Sequence, residues 1–87
     1  MTPENAEILA LEGLGWLAGE EEAIHRFLDL SGIDGADLRV AAGSPGTAVA
    51  VLDFLLANEE LLVRFCDHAG VKTRDVHMAR HVLGGEI

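Results

Sequence analysis

Basic residues, cysteine and aromatic rings are scarce in this 87-residue chain, and each shortage narrows what the protein can be. Six Lys and Arg stand against fifteen Asp and Glu, a net charge of −9. That charge opposes nonspecific attraction to nucleic acid or anionic lipid. A single cysteine, Cys66, excludes an intramolecular disulfide and fits a reducing compartment, so a cytoplasmic location is expected. No apolar run reaches the ~20 residues needed to cross a bilayer, because Glu12 and Glu20–Glu22 interrupt the richest stretch. The opening Met1-Thr2-Pro3-Glu4 lacks the basic-then-apolar pattern of a secretory signal. The only Gly-Ser-Pro-Gly string, at 43–46, lacks the lysine of a phosphate-binding loop. The two serines, Ser31 and Ser44, lack the Asp-Ser-Leu setting that an acyl carrier needs. No catalytic residue and no cofactor site emerges, and the chain is not expected to be an enzyme.

What the sequence does have is a repeat. Residues 14–41 align with 52–79 at a shift of thirty-eight, and ten of the 28 pairs are identical, among them Arg26/Arg64, Phe27/Phe65 and Gly32/Gly70. Trp16/Phe54 and Ile24/Leu62 keep apolar character. A period of this length with helical spacing marks a duplicated helical unit. Thr2 and Pro3 open a first helix whose stripe is Ala6, Leu9, Ala10, Gly13, Leu14 and Leu17, ending at Gly19. A second helix runs from Glu20–Glu22 to Gly32, with Ile24, Phe27, Leu28 and Ser31 inward. A third, short helix is expected from Asp34 to Gly43. The second copy repeats the layout, with caps at Ser44, Asn58 and Thr73, a bend at Gly70 and a stop at Gly84-Gly85. Period-two alternation is missing, so strands are not expected. The fold class is all-α: one domain, 1–87, a compact bundle of about six short helices in two repeated three-helix units.

Gly32 and Gly70 are expected to take the positive φ that turns one helix into the next. Gly13, aligned with Val51, would let the first helix cross more closely. Trp16 and Phe54 fall at the edge of their stripes, as core rim or as part of a partner groove.

Charge is uneven. Residues 1–60 hold a net −10 and residues 61–87 a net +1, with three of the four histidines. Residues 62–83 carry the Gly and apolar spacing of a helix-turn-helix, which would aim Lys72, Thr73, Arg74, His77 and Met78 at a DNA groove, with His81 on the same outward stripe. The same spacing recurs in residues 24–41, where Asp34 and Asp37 replace basic groups, so a packing corner explains it more simply. His77 and His81 lie four apart on one helix face, but two ligands are too few for zinc, and Cys66 and His68 point in different directions. No metal site is expected.

The string Leu52 to Phe65, LDFLLANEELLVRF, with Ala69-Gly70-Val71, the opening Thr2–Glu7 and the segment Arg26–Ile33, resembles a bacterial family of small helical proteins known as domain of unknown function 3572. The resemblance covers nearly the whole chain and implies an all-helical domain, with no assigned activity and no catalytic residue to carry over. The reading is a noncatalytic protein-interaction module with an unknown protein partner, a monomer or weak homodimer, not bound to membranes. The alternative is a nucleic-acid-binding or regulatory protein that uses Lys72, Arg74, His77, Met78 and His81.

Overall fold

The computed structural model describes residues 1–84; Gly85, and with it half of the expected Gly84-Gly85 stop, lies outside them. Helix α1 (Pro3–Ala18) begins as its first residues dictate: Thr2 Oγ1 accepts the Asn5 N–H at 3.1 Å, and Pro3 fills the first helical position. Its buried face is Ala6, Leu9, Ala10, Gly13, Leu14 and Leu17, the stripe its spacing requires. Gly19 ends it with φ −89°, so the left-handed freedom of glycine is not used there. Helix α2 (Glu21–Ser31) follows and buries Ala23 and Phe27, while Ile24, Leu28 and Ser31 are half-buried.

Helices α4 (Pro45–Ala57) and α5 (Glu59–Ala69) pack on each other, and so do α1 and α2. Gly32 and Gly70 close α2 and α5 with φ +76° and +73°, and their N–H groups reach Leu28 and Cys66 carbonyls at 3.0 and 2.9 Å. This is the left-handed C-terminal turn for which glycine costs least. Phe27 and Phe65, at 1 % and 0 % exposure, fill matching places in one core with Leu17, Val51, Leu52 and Leu55. At Gly13 the crossing of α1 with α4 is close: a Cβ there would lie 3.1 Å from Leu55 Cδ1 and 3.2 Å from Val51 Cγ1.

The third elements of the two halves differ, which corrects the expected six helices and the three-helix units. The described residues form five helices of eleven residues or more. Where the third was expected, the chain makes a 3-10 turn (Gly35–Asp37) and a single α-turn, α3 (Leu38–Ala41). Asp34 Oδ1 accepts the Ala36 N–H, but Gly43-Ser44-Pro45 stops the turn within a few residues. Proline cannot continue a helix, and Pro45 already opens α4. At the matching positions 81–83, α6 (Thr73–Gly84) has His-Val-Leu and continues across α1 and α4, burying Val76 and Ala79 completely.

Three expected caps also differ. Ser44 and Asn58 hold the cap positions of α4 and α5 without a side-chain bond to the helix. Thr73 is already helical, and the Asp75 carboxylate instead accepts the Lys72 N–H at 2.9 Å.

Candidate functional site

Where α2 and α5 begin, the two halves meet in a reciprocal set of contacts. Arg64 Nη2 donates to Glu20 Oε1 at 2.5 Å, and Arg26 Nη2 donates to Asn58 Oδ1 at 2.5 Å. Arg64 lies over the Trp16 ring, 5.4 Å from its centroid, and Arg26 over Phe54 at 5.8 Å. Phe65 meets Trp16 at 5.9 Å and Phe27 meets Phe54 edge-on at 5.5 Å. Each contact has its counterpart thirty-eight residues on, with the partners exchanged between the pairs α1–α2 and α4–α5. That exchange accounts for the Asn58 side chain: its Oδ1 accepts from Arg26, its Nδ2 donates to the Phe54 carbonyl at 2.7 Å, and it makes no bond to the α5 N–H groups.

A cleft of about 380 Å³ lies between these helix starts, walled by both arginines and by Glu20–Glu22, Glu59 and Glu60. Both arginines are already engaged, so the cleft presents carboxylates to solvent. Two grooves flank it, again as counterparts. One, about 650 Å³, runs between α1 and α5 past Trp16, His68 and Glu12; the other, about 330 Å³, runs between α2 and α4 past Phe54, Leu30 and Ala50. Gly15 and Gly19 line the larger groove where Asp53 and Ala57 line the smaller, and the missing side chains account for part of its width. Trp16 is half-buried at the larger groove, whereas Phe54 is buried, so the two expected rim aromatics have parted.

A further groove has a volume of about 790 Å³. It lies between α1 and residues 35–42, floored by Leu11, Leu14, Ala18, Leu38 and Val40. Leu11 is 48 % exposed and Val40 83 %, with Ile8 at 54 % on the neighbouring turn of α1. Sequence reasoning missed these residues. The available signal was a surplus: Ile8 and Leu11 are apolar residues of α1 that fall outside its buried stripe.

Lys72, Arg74, His77, Met78 and His81 are all exposed; Lys72 stands just before α6 and the other four lie on it. The Met1 amino group lies 3.9 Å from Met78 Sδ. Arg80, on the same helix, is committed to Asp53 at 2.5 Å. Although α5, Gly70 and α6 form a helix-turn-helix in sequence, α6 packs chiefly on α1 and α4. Cys66 is buried on α5 while His68 is exposed. Burial, helped by the charges of Asp67 and Asp75, pushes the Cys66 thiol above its ordinary value, which keeps it protonated and unreactive at neutral pH. Among the described residues no three of His, Cys, Asp and Glu come together as a metal-holding group, and no helix is long and apolar enough to cross a membrane.

Fold and surface together define a small all-helical domain whose distinguishing features are grooves on a shared core. A family model matches residues 3–86, and the chain belongs to that family, described as a protein of unknown function, DUF3572. No curated protein and no solved structure matches it.

Proposed function

We propose that this domain is a noncatalytic protein-interaction module that docks a partner along α1. The observation that carries this reading is the aliphatic groove between α1 and residues 35–42, where Leu11 and Val40 leave much of their surface in water. Each square ångström of such surface that a partner covers contributes about 25 cal/mol. The module works in the cytoplasm as a monomer or weak homodimer, in keeping with its reduced lone cysteine and its net charge of −9. Leu11→Asp with Val40→Asp tests it. Both side chains are exposed, so the fold should survive; a partner that copurifies with the parent chain should be lost with the variant. Retention of every partner by a folded variant would end this reading.

The second reading, a nucleic-acid-binding or regulatory protein, draws on the exposed Lys72, Arg74, His77, Met78 and His81. Two or three phosphate contacts give a shallow salt dependence and weak binding for a monomer. No measurable affinity for random duplex DNA is expected at physiological salt. Submicromolar binding that falls steeply with salt, and is lost in a folded Lys72→Glu/Arg74→Glu variant, would favour the second reading.

A further inference from the structure

The groove along α1 has an apolar floor, and its surroundings are acidic. Glu7 lies at its end, in a small recess shared with Leu11 and Ala42. Asp34 and Asp37 are exposed beside Gly35, Ala36 and Leu38 on the opposite wall, and against these acids the sequence of residues 35–42 brings one cation, Arg39. We propose that this groove receives an amphipathic helix from a different protein, with an aliphatic stripe flanked by lysine or arginine; the proposal rests on the docking role inferred above and names the partner's chemistry.

Two observations carry it. The first is shape, for which the second half of the molecule supplies a template. Gly15 and Ala42 line opposite sides of the open groove, and their counterparts thirty-eight residues on are Asp53 and Arg80. In the second half those two residues are joined, because the helix α6 lies there with Val76 buried at the position matching Leu38. The place that a helix fills on α4 is thus left partly open on α1, where the chain has only a turn.

The second observation is charge. Residues 1–60 carry a net −10, so a flanking row of cations on the incoming helix gains attraction, while acidic flanks are repelled. The same charge disfavours a second copy as the occupant. Helix α6, which carries Arg74, His77 and His81 on its outer face, is also unsuited, because its Val76 and Ala79 are already turned into the core.

The test uses the isotope-labelled full chain and three synthetic helical peptides of equal length: leucine stripe with lysine flanks, leucine stripe with glutamate flanks, and serine stripe with lysine flanks. The leucine/lysine peptide should shift the amide resonances of residues 8–18 and 35–42 and bind at least ~10-fold more tightly than either of the others. That binding should fall by a similar factor in Leu11→Asp/Val40→Asp, or in Val40→Asp alone if the double variant loses its fold. Equal binding by the serine/lysine peptide, with shifts spread over residues 20–22 and 59–60, would reduce the effect to charge and overturn the proposal. Equal binding of both leucine peptides in the groove would overturn the basic partner and leave the docking role intact. If no peptide moves the groove resonances, docking and partner fall together. Concentration-dependent shifts of those amides without peptide would identify a second copy as the occupant, against the proposal.

Discussion

After the Gly70 corner the chain runs through α6 for twelve residues, sealing α4 and α1; after the Gly32 corner it makes two short turns and leaves part of α1 uncovered. The two corners are nearly identical in backbone and in the phenylalanine packed inside them, so the divergence begins only beyond them. What separates the halves is the Gly43-Ser44-Pro45 string, which must end one helix and start the next within the thirty-eight-residue spacing. Two helix pairs can therefore share one core while the elements that follow them differ. One completes the core, and the other exposes a groove.

The sharpest way to break the comparison is at its most symmetric point. Phe27→Ala and Phe65→Ala should each cost ~3–5 kcal/mol, by transfer and cavity terms, a large part of the stability of a domain this size. Denaturant unfolding reads both. A difference of more than about 2 kcal/mol between them would mean that the halves do not share the core equally.

The glycine corners offer a cleaner comparison. A Cβ on Gly32 or Gly70 meets no atom within 4 Å, so alanine there costs only the left-handed backbone, about 1–2 kcal/mol at each site. Equal losses are expected from thermal or denaturant unfolding. Gly13→Leu is the contrasting variant. Its backbone is helical, yet the larger side chain would collide with Val51 and Leu55, and overpacking of ~1–3 kcal/mol or more is expected. A stabilised Gly13→Leu variant would refute the close crossing.

The arginines test whether reciprocal contacts have equal worth. Arg64 meets a carboxylate at Glu20, whereas Arg26 meets the neutral amide of Asn58. Both sites are partly open to solvent, so Glu20→Gln should cost no more than ~0.5 kcal/mol at low salt and nothing measurable at high salt. Asn58→Ala should lose a similar amount with no salt dependence. A salt-dependent Asn58→Ala, or a salt-independent Glu20→Gln, would reverse the assignment.

Much of this comparison was legible in the sequence, and the reason is physical. Helical stripes, phenylalanine anchors and glycine corners are local or periodic signals, and Gly32, Gly70, Phe27 and the stripe of α1 follow from them directly. The third helix was misread because Leu38 and Ala41 repeat Val76 and Ala79, while the competing stop at Gly43-Ser44-Pro45 belongs to the next helix. Asn58 holds the expected cap position of α5, but nothing in the sequence signals that its side chain bonds Arg26 instead, a tertiary contact across thirty-two residues. The groove was invisible for a related reason. Ile8 and Leu11 do fall outside the buried stripe of α1, but nothing in their spacing says that a turn rather than a helix follows the Gly32 corner.

The smallest expected effect lies at Cys66, whose counterpart in the first half is Leu28, a residue that cannot ionise. Burial, and then Asp67 and Asp75, raise the thiol's pKa in the folded protein. A raised pKa means that the folded chain keeps its proton at a pH where the unfolded chain, near the ordinary thiol value of about 8.5, has begun to lose it. The unfolded state then binds fewer protons, so the stability contributed is complete below about pH 8.5 and declines as pH rises through the folded value. The other groups of the chain are common to the parent and to Cys66→Ala and cancel in the difference. The parent should therefore lose stability more steeply than Cys66→Ala between neutral pH and pH ~9.5, whatever cavity the alanine leaves, while Leu28→Ala keeps the parent's slope. Identical slopes for parent and Cys66→Ala would mean that the thiol titrates as freely in the folded protein as in the unfolded one, and that this place in the core admits water.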